Sequence, residues 1–187
     1  MSASAIDLAI VGGGLAGGLT ALAVHRKYPE LDVALIEAGD SYGGNHRWSW
    51  FESDCGPKGD ALLGSFEAKR WTGGNEVRFP RHKRRLSADY RSLDSRDFDA
   101  GLRRCLPQSA LHLNARVTAL APDKVTLADG RSIAARRILD CRDAAPSPHL
   151  TGGWQVFLGQ HRRMDAPHGV TRPVIMDATV DQIGGYR

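Results

Sequence analysis

Three glycines at the spacing G-x-G-x-x-G constrain this chain more than any other feature. They are Gly12, Gly14 and Gly17. They follow an apolar run at residues 7–11 and open a segment, 15–28, whose apolar residues recur at helical spacing. A second apolar run comes next, at residues 31–36. The order predicts a β-α-β unit in which the glycines form the turn between the first strand and the helix.

An acidic residue, Glu37, follows the second predicted strand, 20 residues after Gly17. In dinucleotide-binding folds the first glycine permits a tight turn, the second lets the backbone approach a pyrophosphate, and the third lets the helix pack closely on the strand. The helix N-terminus offers unpaired N–H groups to the phosphates. The Glu37 carboxylate can accept hydrogen bonds from ribose hydroxyls and would repel the extra phosphate of NADP. The alternative is a glycine-rich turn in an unrelated α/β fold with an incidental surface glutamate.

The remaining order of elements favours FAD over NAD, whose domain would continue with further β-α units. Here a loop is followed by a helix with Ser95 as its predicted N-cap, a three-stranded meander within 117–134 and a strand at 137–141. This layout resembles FAD-binding proteins with an N-terminal β-α-β unit. Arg96, in the first turn of that helix, could then reach the pyrophosphate, and Asp140, at the strand end, would lie near the cofactor. A solvated arginine and a strand-end turn acid are the alternatives.

Elsewhere the periodicity of apolar residues predicts helices and strands less clearly. Residues 43–51 show no period and are predicted as an ordered loop, in which Gly44 is a further candidate for cofactor binding. Residues 62–71 are predicted as a short helix. Residues 77–86 begin like a strand that Pro80 limits.

We therefore expect an α/β fold, in which a Rossmann-like FAD-binding β-α-β unit with a β-meander precedes the start of a second, substrate-binding sheet domain. The FAD-binding domain is expected at residues 1–145, with an inserted segment at about 48–92, and the beginning of the substrate domain at 146–187. Two further strands, at 154–158 and 174–176, are predicted in that second part.

Composition excludes several classes of function. The chain has 25 Lys and Arg residues, and five of them lie within eight residues, leaving 20 bases against 21 acids, so nucleic-acid binding is not indicated. Those five bases could rest on anionic lipid headgroups or form a solvated face. The three cysteines lack C-x-x-C spacing and the seven histidines lack H-x-x-x-H spacing, so no metal site is expected and a reducing compartment fits. The five bases are Arg78, Arg81, Lys83, Arg84 and Arg85.

Several segments resemble the bacterial lycopene β-cyclases. They are VGGGLAGGLTAL (11–22), GGNHRWSW (43–50), VRFP (77–80), PHG (167–169) and PVIMDATVDQIGGYR (173–187). The first is shared by many flavoproteins, whereas the second and the last are much more specific. The resemblance covers essentially the whole chain, but members of that family are longer and tend to have a glycine where this chain has Cys141.

The resemblance implies conversion of the linear ψ-end groups of lycopene to β-rings in carotenoid biosynthesis, an isomerisation by protonation, ring closure and deprotonation. It implies reduced FAD as the cofactor, NADPH or NADH as its reductant, lycopene or a related carotenoid as the substrate, and a cytoplasmic location on the inner membrane surface. An acidic motif of the family would lie beyond Arg187, so the 187 residues alone are expected to be an inactive fragment. The alternatives are an FAD-dependent oxidoreductase or monooxygenase, and a dinucleotide-binding fragment without activity.

Such a cyclisation needs an acid able to protonate an alkene, electron density beside the resulting carbocation, and a base. The candidates are Asp177 and Asp181 as an acid–base pair, His46 and His168 for proton transfer, and Trp48, Trp50 and Phe51 as aromatic faces. The two aspartates would share one face of either a helix or a strand. The alternatives are a turn or a solvated edge for the aspartates, core packing for the aromatic residues, and structural roles for the histidines.

Overall fold

The computed structural model describes residues 5–143, 147–149, 151–152, 159–160 and 162–181. In chain order its elements are β1 (Ile6–Val11), α1 (Leu15–Lys27), β2 (Val33–Ile36), β3 (Arg47–Phe51), α2 (Pro57–Leu63), β4 (Lys69–Trp71), β5 (Asn75–Phe79), β6 (His82–Leu86), β7 (Tyr90–Asp94), α3 (Ser95–Cys105), β8 (Leu111–His112), β9 (Val117–Ala121), β10 (Lys124–Leu127), β11 (Ser132–Asp140) and β12 (Val174–Asp177). Short 3₁₀ turns precede α2 and β8.

A six-stranded sheet in the order β8-β2-β1-β11-β10-β9 organises the described part of the chain. Strands β8, β2, β1 and β11 run parallel, whereas β9 and β10 join as an antiparallel meander. The predicted β-α-β unit is therefore confirmed, as is the α/β class. The predicted third meander strand and the following strand prove to be one continuous element, β11, because no residue between them breaks the extended backbone.

The two faces of this sheet are covered by different layers, as the alternation of side chains along β1 and β2 requires. Ile10 and Leu35 are buried on one face together with residues of α1 and α3. Val11 and Ile36 are buried on the other face, in one cluster with Val125 of the meander. The helices therefore cover one face of the parallel strands, and the meander strand β10 contributes to the apolar cluster on the other face.

Close packing of α3 against α1 depends on Gly18. A Cβ on Gly18 would lie 2.5 Å from the ring of Phe98 and 2.8 Å from Leu102, both of which are fully buried. The cap of α3 differs from the sequence expectation, because Asp94 rather than Ser95 is the N-cap. The Asp94 carboxylate accepts a hydrogen bond from the Arg96 N–H at 2.8 Å.

Two three-stranded sheets, β3-β7-β4 and β12-β5-β6, flank this core. The prediction of a loop at 43–51 was wrong for residues 47–51, which form β3. In this strand Trp48 and Trp50 alternate with polar residues and pack against the core. The helix predicted at 62–71 was also misplaced. Helix α2 begins earlier, at Pro57, and ends at Leu63 with Gly64 as its C-cap, and β4 follows from Lys69.

Residues 77–86, predicted to begin as a strand that Pro80 limits, form most of a tight hairpin. Strands β5 and β6 pair antiparallel down to Phe79 and His82, so Pro80 lies in the turn, where its missing N–H costs nothing. The strand predicted at 174–176 is confirmed as β12. The one predicted at 154–158 lies outside the described residues.

Strand β12 joins the tail of the chain to the segment expected as an insertion. It pairs parallel with β5, with Val174 opposite Glu76 and Asp177 opposite Arg78. The Glu76 carboxylate lies 2.9 Å from Arg78, 3.1 Å from Lys83 and 3.6 Å from Arg172. Hydrogen bonds from Arg78 and then Lys83 lower the pKa of Glu76. The inserted segment and the tail therefore share one sheet.

Candidate nucleotide-binding site

The glycine turn between β1 and α1 has the shape that its sequence predicts. Gly12 has φ +99° and donates its N–H to the Ile36 carbonyl at 2.8 Å, so the turn is tied to the end of β2. A Cβ on Gly17 would collide with the Gly12 carbonyl oxygen, which explains the third glycine. Gly14 is different, because its backbone is extended and a Cβ there would meet no protein atom within 4 Å.

Gly14 is therefore not required by packing or by backbone conformation within the described residues. It stands at the N-cap of α1, whose first turn carries no acidic side chain. The first turn of a helix generally has N–H groups without an intrahelical partner, and it lies at the positive end of the helix dipole. This is the arrangement in which a phosphate oxygen can approach the backbone.

Glu37 accepts two hydrogen bonds, one of which connects the end of β2 to this turn. Its Oε2 accepts from the Gly13 N–H at 2.8 Å, and its Oε1 accepts from the Gly39 N–H at 2.9 Å. Each carboxylate oxygen can accept a second hydrogen bond. The side chain is partly exposed, so it can shape the glycine turn and still accept hydrogen bonds from a ribose.

The segment around Gly43 and Gly44 lies against the same turn. Gly43 donates its N–H to the Gly13 carbonyl at 2.9 Å and has φ +84°, while Gly44 has φ +58°. A Cβ on Gly43 would lie 2.9 Å from Trp48 and 3.2 Å from Ser95, so this position accepts only glycine. The start of α3 is thereby brought close to the glycine turn.

Arg96 lies in the first turn of α3 with its side chain 83% exposed. Its Nε lies 3.3 Å from the Asp94 carboxylate. The structure records no contact between Arg96 and the glycine turn among the described residues. Its reach toward a pyrophosphate stays a prediction.

Asp140 ends β11 directly beside the glycine turn, in register with Val11. Cys141 donates its N–H to the Val11 carbonyl at 2.7 Å and packs beside Gly17, whose Cβ would lie 3.4 Å from the Cys141 Cβ. The extra side chain of Cys141 is therefore accommodated. Hydrogen bonds from Arg142 lower the pKa of Asp140, and burial raises the pKa of the Cys141 thiol.

Four of the seven catalytic candidates lie on the chain segment that leads out of this site, at β3 or just before it. They are His46, Trp48, Trp50 and Phe51. His46 and Trp48 stack with ring centroids 5.9 Å apart, and Trp48 packs edge-on against Phe98 at 5.2 Å. The His46 carbonyl accepts the Ser95 N–H at 3.1 Å. Trp48 is thus part of the core packing and also adjoins Gly43.

The other three candidates lie near the tail strand. Asp177 accepts hydrogen bonds from Thr179, whose N–H is 3.1 Å away, and lies 3.6 Å from Arg78. The Thr179 hydrogen bonds, followed by the Arg78 charge, lower the pKa of Asp177. Because β12 ends at Asp177 and a turn follows, Asp181 does not share a face of a regular element with it. His168 is exposed, and its Nδ1 accepts the Val170 N–H at 3.0 Å.

Sequence reasoning missed a buried arginine. Arg91 on β7 is 5% exposed and forms ion pairs with Glu52 and, at 3.0 Å, with Asp60. These contacts tie β7 to the turn and helix that follow β3. No local spacing signals such a contact, since its acids lie more than 30 residues away.

The described part of the chain contains no helix that is both long enough and apolar enough to cross a bilayer. In the basic patch of the β5–β6 hairpin, Arg78 and Lys83 pair with Glu76, and Arg85 donates to the Gly73 carbonyl. Arg81 and Arg84 are exposed.

The parallel sheet, the glycine turn and Glu37 define a protein of the Rossmann-like α/β class. Residues 7–187 match the family model described as Lycopene cyclase protein. The chain therefore belongs to the lycopene cyclase family.

Curated relatives agree with this membership. The chain is 44% identical over 181 residues to the lycopene beta-cyclase of Pseudescherichia vulneris, covering 97% of this chain and 46% of that protein. It is 41% identical over 183 residues to the lycopene beta-cyclase of Paracoccus sp. (strain N81106 / MBIC 01143), with 97% and 46% coverage. The chain thus spans about half the length of the curated relatives it matches.

Solved structures share the fold at low identity. A variant of 2-methyl-3-hydroxypyridine-5-carboxylic acid oxygenase superposes with a TM-score of 0.56 at 17% identity, covering 72% of this chain and 39% of that one. A peptidyl tryptophan dihydroxylase superposes with a TM-score of 0.53 at 17% identity, with 79% and 35% coverage. At this identity the likeness shows the fold alone.

Proposed function

We propose that this chain forms the FAD-binding part of a lycopene β-cyclase, which converts the linear ψ-end groups of lycopene to β-rings without net oxidation or reduction. The observation that carries this proposal is the 44% identity to a lycopene beta-cyclase across 97% of the chain. Two segments carry the more specific resemblance, 43–50 and 173–187. In the described part of the chain, Gly43 of the first lies against the glycine turn, and residues 174–177 of the second form β12.

The site fits FAD on structural grounds. The open side of Gly14 would receive the pyrophosphate, the remaining acceptor capacity of Glu37 would receive the ribose hydroxyls, and Asp140 would border the cofactor from β11. Gly12, Gly17 and Gly44 would shape the surrounding backbone. In its reduced form FAD would supply electron density beside a carbocation on the substrate, and NADPH or NADH would supply the electrons that reduce the flavin.

The candidate catalytic side chains have different surroundings, and these suggest different roles. Asp177 is held ionised by Thr179 and Arg78, so it suits removal of a proton or stabilisation of a cation better than donation of a proton. Trp48 and His46 extend from the glycine turn and would border a substrate that reaches the cofactor. Asp181 and His168 are exposed and would act at the substrate side of the tail strand.

Lycopene or a related carotenoid is the substrate in this proposal, and a membrane surface is its source. Support comes from the β5–β6 hairpin, where Arg81 and Arg84 are exposed cations. A cation near an anionic lipid surface contributes about 1 kcal/mol to binding. We therefore propose peripheral attachment at the cytoplasmic face of the inner membrane.

A lycopene-accumulating bacterial strain tests the activity. One culture would express this chain alone, and another would express it joined to the C-terminal half of the Pseudescherichia vulneris relative, with pigments separated by chromatography. We expect β-ring products from the joined protein. A joined protein that binds FAD but leaves lycopene unchanged, or that consumes NADPH and oxygen to hydroxylate a substrate, would overturn the cyclase proposal in favour of an oxidoreductase.

A further inference from the structure

Two carboxylates border the turn that would take an anionic diphosphate. Glu37 contacts the Gly13 N–H, and Asp140 lies beside Gly12 at the end of β11. Both are acids, and a diphosphate carries negative charge, so each opposes binding unless it is neutralised. Among the residues that the structure describes, Arg142 is the cation that contacts one of them.

Arg142 neutralises Asp140 through a forked contact. Its Nε lies 2.8 Å from Oδ1 and its Nη2 lies 2.8 Å from Oδ2, while its own backbone N–H donates to Oδ1 at 3.1 Å. Its Nη1 also reaches the Val117 carbonyl at 3.4 Å. Both side chains are about two-fifths exposed, so the pair remains next to solvent and to any ligand at the turn.

The backbone that joins Asp140 to Arg142 lies directly against the glycine turn. A Cβ on Gly12 would be 3.0 Å from the Arg142 backbone nitrogen and 2.9 Å from the Cys141 carbonyl carbon. The Asp140–Arg142 turn and the Gly12 backbone are therefore in van der Waals contact. A change of charge at Asp140 or Arg142 therefore changes the electrostatic potential at the glycine turn, because little protein lies between them.

We propose that Arg142 is a positioning residue for the cofactor: it cancels the charge of Asp140 beside Gly12 and so makes the glycine turn receptive to a dinucleotide diphosphate. This inference rests on the proposed FAD binding. Arg142 acts through Asp140 and through the local field.

A second Asp-x-Arg pair supplies a matched control. Arg131 donates its backbone N–H to Asp129 at 3.0 Å and its Nε at 2.7 Å, in the turn between β10 and β11. That turn has no recorded contact with the glycine turn in the described ranges. Arg131→Gln removes the same charge from the same kind of pair, so its effect on net charge matches that of Arg142→Gln, and thermal unfolding compares the stability of the two variants.

The test measures dissociation constants for FAD and ADP by titration of wild type, Arg142→Gln, Arg142→Lys and Arg131→Gln, with thermal unfolding of each. We expect Arg142→Gln to raise both constants about tenfold relative to Arg131→Gln, and Arg142→Lys to retain most of the affinity because it keeps the charge. The difference should shrink as salt is raised to about 1 M, where the screening length falls to ~3 Å.

The outcomes separate this inference from the proposal on which it rests. If wild type binds neither FAD nor ADP, the proposed function and this inference both fail. If wild type binds FAD but Arg142→Gln binds as tightly as Arg131→Gln, only the inference fails. It also fails if the loss is unchanged by salt or is as large in Arg142→Lys, since either result would indicate a structural role without a charge effect.

Discussion

Glu37 accepts the Gly13 N–H at 2.8 Å, so the acid expected to bind a ribose also holds the turn expected to bind the phosphates. The second oxygen accepts the Gly39 N–H at 2.9 Å, and both bonds form without any ligand. One side chain therefore sets the geometry of both halves of the site before a cofactor arrives. This pre-organisation reduces the ordering that binding would otherwise require.

Glu37→Ala should therefore impair folding as well as binding. It leaves the N–H of the buried Gly13 without its acceptor, and we expect a loss of about 1–3 kcal/mol in the free energy of unfolding, whereas water can replace the acceptor of the exposed Gly39. Urea denaturation checks the stability, and FAD titration checks the binding. Glu30→Ala, at an exposed position in the turn after α1, is the control and should change neither. Unchanged stability in Glu37→Ala would contradict the linking role of Glu37.

Gly14→Ala should give the opposite pattern, a loss of binding with stability retained. A Cβ at Gly14 meets no protein atom within 4 Å, and its φ of −70° suits any residue. Gly56 is a matched control, because it is also an extended N-cap, with φ −81° and nothing within 4 Å of its Cβ. We expect both alanine variants to unfold within about 0.5 kcal/mol of wild type.

In the FAD titration, Gly56→Ala should bind as wild type does, whereas Gly14→Ala should bind at least tenfold more weakly. The added methyl group would stand where a phosphate oxygen approaches the backbone. Equal affinities of the two variants would show that the open side of Gly14 is not the cofactor site.

How far the sequence predicts this fold depends on the range of the contacts. The β-α-β unit was predictable because its apolar period, glycine spacing and acid all lie within the first 37 residues. Strands β3 and β7 were missed because each is short and mixes charged residues with large apolar ones. The pairing of β12 with β5 joins positions about 100 residues apart, and no local pattern predicts that partnership.

In the candidate site, too, the residues placed by a local motif were predictable and those placed by distant contacts were not. Gly12, Gly14, Gly17 and Glu37 come together as predicted, since one motif specifies them. The cation at Asp140 was missed, because an Asp-x-Arg sequence also occurs at Asp129 in an ordinary turn. Only the parallel pairing of β1 with β11 distinguishes the two by placing Asp140 beside Gly12.

Low pH should destabilise the protein because it protonates Asp94, the N-cap of α3. The backbone N–H of Arg96 is the main cause that lowers the pKa of Asp94, and the nearby Arg96 and Arg47 charges act in the same direction. A carboxyl whose pKa is lowered by folding stabilises the protein above its unfolded pKa, which is about 3.9, and loses that contribution as pH falls through the folded value.

Asp94→Ala should consequently cost about 1 kcal/mol of unfolding free energy at pH 7 and less below about pH 4. Urea denaturation at a series of pH values measures this difference. Asp97→Ala, in the exposed first turn of the same helix, keeps the cap and is the control. A difference between Asp94→Ala and wild type that stays constant down to pH 3 would contradict the ionised cap.

Arg91 should contribute more to stability than any exposed base of the flanking sheets. Its guanidinium is buried between Glu52 and Asp60, and its removal leaves both acids without their cation. Because those acids are themselves partly exposed, we expect Arg91→Met to lower the free energy of unfolding by about 2 kcal/mol, less than for a fully buried pair. Arg70, its register partner on β4, is exposed, and Arg70→Met should change the stability by less than about 0.5 kcal/mol. Urea denaturation measures the free energy of unfolding of Arg91→Met and Arg70→Met. Equal values for the two variants would mean that the ion pairs of Arg91 do not contribute to stability.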